Sequence, residues 1–265
     1  MILQKIIKQK KIVLEKNKAA ITLNQLIESA EKSPRQIKDF YSSLRLNDRI
    51  SIIAEVKKAS PSKGLIRESF NHMEIAKAYL MSDVQAMSVL TEEDFFLGSP
   101  KYLQEISAVS SIPVIRKDFI IDKYQIYESY LLGADAILLI LAILDDDTLK
   151  EFYDIATGLG LHCLCEVHDE EELSRAISLG ARIVGINNRN LETFEEDIST
   201  TQRLIRHIPK ETVTISESAI KTPEDLDFLY SIGADGVLIG EAFMRSQDIR
   251  CAVSEMRRQD YYDEN

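Results

Sequence analysis

Eight short apolar runs recur along the chain, and no other feature limits the fold so sharply. They are Ile52–Lys57, Ala86–Thr91, Pro113–Phe119, Ala136–Leu141, His162–Val167, Ile183–Asn188, Thr212–Ser218 and Gly236–Gly240. Each has strand length and is mostly continuous rather than alternating, as a parallel strand covered on both faces must be. Helical patterns separate them. Three of those helices end in one phrase, Leu132-Gly133-Ala134-Asp135, Leu179-Gly180-Ala181-Arg182 and Ile232-Gly233-Ala234-Asp235, each just before a strand. A glycine just past a helix end supplies a left-handed residue at little cost, so the repeated phrase marks a repeated strand–helix unit. Thr222-Pro223-Glu224-Asp225 and His168-Asp169-Glu170-Glu171-Glu172 open two of the helices with a cap or first-turn acids.

Eight such units in 265 residues predict an α/β fold, the TIM (β/α)8 barrel. A doubly wound sheet would carry a glycine-rich loop after its first strand. Here that stretch is Lys57-Lys58-Ala59-Ser60-Pro61-Ser62-Lys63-Gly64, without GxGxxG. Residues 1–50 precede the first strand and read as helical, and no linker sets them apart. The expectation is one barrel domain over 1–265, with 1–50 as an N-terminal helical extension.

Composition removes several function classes. Lys+Arg is 32 against Asp+Glu 43, a net charge of −11, which excludes a broad phosphate-neutralising face for nucleic acid. A small anion can still be held by a few local cations. Cys163, Cys165 and Cys251 are an odd set without a disulfide framework, so a reducing, cytoplasmic setting is expected. No apolar run reaches the roughly 20 residues of a membrane span. Lysines at 5, 8, 10, 11, 16 and 18 interleave with Ile2, Leu3, Ile6, Ile7, Ile12, Val13 and Leu14. That pattern predicts an amphipathic helix packed on the body of the protein rather than on a membrane. A monomer is allowed, and the sequence does not fix the oligomeric state.

In a barrel the functional face is built from the C-terminal strand ends. Read in order, those ends carry Glu55 and Lys57, Thr91 and Glu92, Lys117, apolar Leu138–Leu141, Glu166, Asn187 and Arg189, Glu217 and Ser218, then Gly240 and Glu241. Charges at the tips of buried strands are costly unless they pair or bind something. Brought into one ring, they suit acid–base work on an anionic substrate. Lys117 is the sharpest case. If alternation turns it into an apolar mouth, its pKa should be depressed, fitting it as an acid or a nucleophile. The ends of the seventh and eighth strands, at Ser218-Ala219-Ile220 and Gly240-Glu241-Ala242, suggest a phosphate site.

Other groups do not read as sites. Cys163 and Cys165 lie on one face of a strand and lack the ligand count of a structural zinc site. Asp145-Asp146-Asp147 precedes a helix, where acids complement the dipole. His72, His162, His168 and His207 show no ligand spacing, and no GxSxG elbow occurs.

Six blocks resemble the indole-3-glycerol phosphate synthase family, in family order and over nearly the whole chain. They are Ile52 through Gly64, Ile115-Arg116-Lys117-Asp118-Phe119, Cys165-Glu166-Val167-His168, Gly185 through Leu191, Ile215-Ser216-Glu217-Ser218 and Leu238-Ile239-Gly240-Glu241. The resemblance implies a barrel with a helical segment capping the active face. It also implies a step of tryptophan biosynthesis that needs no cofactor and no metal. The substrate would be 1-(2-carboxyphenylamino)-1-deoxyribulose 5-phosphate, converted to indole-3-glycerol phosphate by ring closure, decarboxylation and dehydration.

By the same resemblance, Lys117 would be the acid of ring closure and Glu166 the base or proton shuttle. Lys57 would bind substrate and serve in dehydration, with the division between Lys57 and Lys117 left open. Glu55, Asn187, Arg189 and Glu217 would position substrate and tune the lysines. Ser60 would stand near the anthranilate carboxylate, and Phe119 and Leu138 would wall the aromatic ring. Ser218, Ala219, Gly240 and Glu241 would hold phosphate. Ala219 departs from the family's usual glycine, a strain on the order of 1 kcal/mol if φ is positive there. Two other readings stay open: a sister phosphate-binding barrel, either phosphoribosylanthranilate isomerase or a Schiff-base aldolase using Lys117, and a non-catalytic barrel scaffold.

Overall fold

The computed structural model describes residues 2–46, 48–190 and 193–259; Leu191, at the end of one family block, lies outside them. Eight parallel strands close into a barrel: β1 (Ser51–Val56), β2 (Ala86–Leu90), β3 (Val114–Lys117), β4 (Ala136–Ile140), β5 (His162–Val167), β6 (Ile183–Asn187), β7 (Val213–Glu217) and β8 (Gly236–Ile239). Each pairs with its neighbours in the chain, and β8 pairs with β1 to complete the ring. Every run expected to be a strand is one. The third expected run extends past its strand, because Asp118 leaves the ladder to pair with Lys10 and Arg116.

Alternation sorts the side chains into two cores. From β1, Ile52, Ala54 and Val56 pack outward beneath the helices. Ile53 points inward, where it meets Ile115, Leu138, Leu164, Ile215 and Leu238. Both faces of each strand are thus buried, which explains the unbroken apolar runs. Gly133, Gly180 and Gly233 have φ of 93°, 78° and 94°, so the repeated phrase is the left-handed exit of a helix. Thr222 closes a capping box on the helix Pro223–Ser231. Asp145 and Asp169 cap the helices Asp146–Gly158 and Glu170–Leu179.

The N-terminal extension covers both ends of the barrel. Helix α1 (Ile2–Ala20) buries Ile6, Lys10 and Leu14, one residue per turn on a single face. Leu14 packs against Leu26, which lies on α2 (Leu23–Lys32), and against Tyr124. The short helix α3 (Phe40–Ser43) closes the opposite end, where Phe40 and Leu44 join the barrel interior. Ser51 Oγ donates to Leu44 O at 2.7 Å and fixes that plug. No described helix is long and apolar enough to cross a membrane.

Candidate active site

The C-terminal strand ends enclose a cavity of about 520 Å³. Glu55, Lys57, Lys117, Glu166, Asn187 and Glu217 line it, together with Ser60, Phe119, Leu138, Arg189, Ser218, Ala219, Gly240 and Glu241. Strand parity accounts for the convergence, since Glu55, Leu138, Glu166, Asn187 and Glu217 each stand two residues beyond an inward core position.

Lys117 sits at the centre. Its Nζ donates to Glu166 Oε2 at 3.0 Å and to Glu217 Oε2. Burial works against the ammonium, but Glu217, Glu166 and Glu55 outweigh it, so the Lys117 pKa is raised, not depressed. The expectation from sequence fails because the mouth is apolar on one side only and carboxylates line the other.

The two carboxylates beside Lys117 are not equivalent. Burial pushes Glu166 up, yet Lys117, His168 and a hydrogen bond from Asn187 hold it below the usual carboxylate range. Glu217 is pushed up to about 7 by burial; Lys117 opposes this, and Glu166 and Glu55 add to it. One lysine therefore stands between an ionised carboxylate and one poised near neutrality, an arrangement that separates acid from base.

Lys57 Nζ pairs with Glu55 Oε2 at 2.6 Å. The backbone of Gly240 comes so close that a Cβ there would stand 2.5 Å from Glu55 Oε2 and 3.0 Å from Lys57 Nζ. At Gly185 a Cβ would run into the Glu217 carboxylate. These two glycines clear the space in which the charged pairs sit. Arg189 is tied to Glu196 and to Ser62, and Glu196 also receives Lys221 at 3.0 Å. The expected gathering of Lys57, Lys117 and Arg189 is present, but each is paired with a carboxylate, as buried charge requires.

Phe119 and Leu138 form part of an apolar wall, with Phe96 at 6.1 Å between ring centroids from Phe119. Ile140 and Phe194 also line the cavity, Leu238 of β8 stands in register with Glu217, and Ile2, Leu3 and Ile6 of α1 roof it. At the opposite side, Ser218 and Ala219 have φ of 65° and 62°. Ala219 thus occupies the left-handed region, where its methyl costs about 1 kcal/mol. Lys221 and Arg245 line the same side.

Two strand-end residues do not join the ring. Thr91 lies on the outward parity, donating to Asp118 Oδ2 at 2.5 Å and accepting from Arg116 Nε at 2.9 Å. Glu92 accepts the backbone N–H of Phe95 at 2.7 Å and of Phe96 at 3.0 Å, which shapes the loop carrying Phe96. Both are buried and serve the loops rather than the cavity. Conversely, Phe96, Phe194, Glu196 and Lys221 stand on loops and Arg245 ends the short helix Glu241–Arg245, so strand parity gives no signal for any of them. His168 shows no metal-ligand spacing, yet its offset of two from Glu166 places both on one face. Among the described residues no group of three His, Cys, Asp or Glu side chains is arranged to hold a metal ion.

Comparison with known proteins places this cavity in context. The sequence profile described as Indole-3-glycerol phosphate synthase matches residues 3–256. A protein of that name from Acetivibrio thermocellus is 52% identical over 258 residues, 97% of this chain and 99% of its own length. Another, from Caldanaerobacter subterraneus subsp. tengcongensis, is 51% identical over 250 residues, 94% of this chain and 96% of its own. The barrel also superposes on 3-hexulose-6-phosphate synthase from Salmonella typhimurium with a TM-score of 0.65 at 13% identity, covering 79% of this chain and 97% of that one. N-acetylmannosamine-6-phosphate 2-epimerase from Clostridium perfringens gives 0.63 at 16% identity, covering 82% of this chain and 96% of that one. Those two likenesses concern the fold alone. The profile and the close relatives decide the family: this TIM-barrel chain belongs to the indole-3-glycerol phosphate synthases, decarboxylating lyases of tryptophan biosynthesis.

Proposed function

We propose that the cavity converts 1-(2-carboxyphenylamino)-1-deoxyribulose 5-phosphate to indole-3-glycerol phosphate, with Lys117 as the acid of ring closure. The observation that carries this assignment is the Lys117 ammonium held between Glu166 and Glu217, opposite an aromatic and aliphatic wall. An ammonium kept charged by neighbouring carboxylates is a preorganised donor for a ketone oxygen that gains negative charge. The ring carbon bearing the carboxyl group attacks the ketone carbon, and the ketone oxygen takes the proton of Lys117. Carbon dioxide then leaves, and its bonding pair restores the aromatic ring. Lys57 protonates the departing hydroxyl, Glu166 takes the proton from the adjacent carbon, and water leaves.

The remaining side chains position the substrate. Phe119 and Leu138, with Phe96, hold the anthranilate ring. Ser60 and Arg189 face its carboxylate. Asn187 orients Glu166, Glu55 orients Lys57, and Glu217 holds Lys117 while meeting a sugar hydroxyl. Phosphate sits at the Ser218-Ala219 turn and the backbone of Gly240 and Glu241, where successive N–H groups form an anion-binding concavity. The Glu241 carboxylate is occupied by Arg245 at 2.9 Å, so Glu241 contributes its main chain.

The Schiff-base alternative needs a neutral lysine as nucleophile. The raised pKa of Lys117 opposes it. Lys117→Ala should fold normally and form almost no indole product; retained turnover would remove Lys117 from the mechanism. Borohydride with substrate should trap no lysine adduct, and a covalent adduct would favour the aldolase reading. We also propose that the enzyme acts as a monomer in the cytoplasm. The roles assigned above need no residue from a second copy, and Cys163, Cys165 and Cys251 are free thiols, as a reducing compartment keeps them. Sedimentation at working concentration tests the first point.

A further inference from the structure

His168 follows β5 by one residue, and its side chain is 15% exposed. Nδ1 stands 3.0 Å from Glu172 Oε2, and the His168 backbone N–H donates to that same oxygen at 2.8 Å. On its other edge, buried Nε2 stands 3.4 Å from Glu166 Oε1 and has no hydrogen-bond partner among the described residues. The ring thus spans two carboxylates, one on the helix that follows β5 and one in the active site. Lys8 and Lys11 of α1, Asp169 and Asn190 share with His168 the lining of a second cleft of about 730 Å³. Glu217 acts on the ring from beyond Glu166.

This contact distinguishes the two carboxylates beside Lys117. Glu166 has the imidazole behind it, whereas Glu217 has Glu55 nearby and leaves Oε1 without a hydrogen-bond partner among the described residues. We propose that His168 is a positioning residue of the base: pinned by Glu172 as an imidazolium, it keeps Glu166 ionised and aligned, and so decides which of the two carboxylates accepts the substrate proton. The proposal rests on the reading of Glu166 as the base.

Electrostatics agree with the geometry. Burial disfavours the charged ring, but Glu172, Glu166 and Glu217 outweigh it and raise the His168 pKa. In turn Lys117 and His168 hold Glu166 down against its burial. A neutral residue at 168 therefore leaves Glu166 harder to ionise, with Lys117 unchanged.

The test is the pH dependence of kcat/KM for the whole enzyme and for His168→Gln, Glu172→Gln and Glu166→Gln. His168→Gln should move the acid limb upward by about 0.5–1 pH unit, a loss of roughly three- to tenfold at pH values on the acid side of that limb. By pH 8.5 the activity should return to within about twofold. Glu172→Gln should move the limb the same way by less, and it reads the same effect if His168→Gln fails to fold. With only four histidines in the chain, an NMR titration can follow the ring itself. It should titrate above the ordinary value near 6.5 and drop in Glu172→Gln. A uniform loss at every pH, or an unmoved acid limb with a ring titrating normally, overturns the proposal. If Glu166→Gln keeps turnover, the base assignment falls, whatever His168 does. If Glu166→Gln is inactive while His168→Gln keeps the wild-type acid limb, the base assignment stands and the role of His168 falls.

Discussion

The same N-terminal extension closes both ends of the barrel, and it does so on opposite principles. At the α3 end, Asp135 is fully buried, accepts the N–H groups of Val114 and Lys38 at 3.0 Å each, and pairs with Arg35 at 3.3 Å. Phe40 and Leu44 fill the space beside it. At the α1 end, buried Lys10 pairs with Asp118 at 2.7 Å, and Ile2, Leu3 and Ile6 roof a cavity lined with charge. The difference lies in what satisfies the buried charge. Main-chain donors hold Asp135 in one arrangement, which stabilises the fold. Side chains facing one another across a cavity can exchange partners with a ligand, which is what a site for chemistry needs.

The largest effect should separate the two ends outright. Glu166→Gln at the mouth should lower kcat about a hundredfold or more while leaving the urea midpoint nearly unchanged. Asp135→Ala at the floor should cost about 3–5 kcal/mol, with KM unchanged in the fraction that stays folded. The reverse pattern in paired urea melts and progress curves would dissolve the distinction.

Lys10 probes the hinge between the two roles, because its pair is structural but roofs the site. Asp118 keeps Arg116 when Lys10 is lost, so Lys10→Met should cost only about 1–3 kcal/mol. KM should rise about tenfold, with kcat within about threefold; a fall in kcat with KM fixed would place Lys10 in the chemistry instead.

Acid and base pull the ends apart more gently. Glu217 has a folded pKa raised to about 7, so the folded protein holds a proton that the unfolded chain has already released. Its contribution to stability is complete below the unfolded value near 4.3 and is lost as pH rises through about 7. Melting temperatures should fall from pH 5 to pH 8, and Glu217→Gln should flatten that fall. An equal slope in both proteins would reassign it to other groups. The smallest effect belongs to Ala219. Ala219→Gly should stabilise by about 0.5–1 kcal/mol by relieving the left-handed alanine, and should change KM no more than about twofold. An unchanged melting temperature would mean that the strain is absorbed locally.

The sequence carried most of the barrel because strand parity and helix exits are local signals. Glu55, Lys117 and Glu217 could be placed at strand tips before any contact was known. What stayed hidden depends on residues far apart in the chain. Lys10 reads as one lysine among six on a surface helix, and only folding brings Asp118 against it. Phe96 enters the cavity because Glu92 organises its loop, so a residue expected in the ring turned out to support one that was not. The sign of the Lys117 shift is hidden in the sequence for the same reason: Glu166 and Glu217 lie 49 and 100 residues away.

The most direct measurement supplies the carboxyphenylamino-deoxyribulose phosphate to the purified protein in the presence of a chelator and follows indole fluorescence. Wild-type protein should produce indole-3-glycerol phosphate, while Lys117→Met, equally well folded, should lose at least about a thousandfold in kcat. Folded wild-type protein that forms no indole, or a Lys117→Met variant that turns over at the wild-type rate, would contradict the assignment of the reaction to the lysine between Glu166 and Glu217.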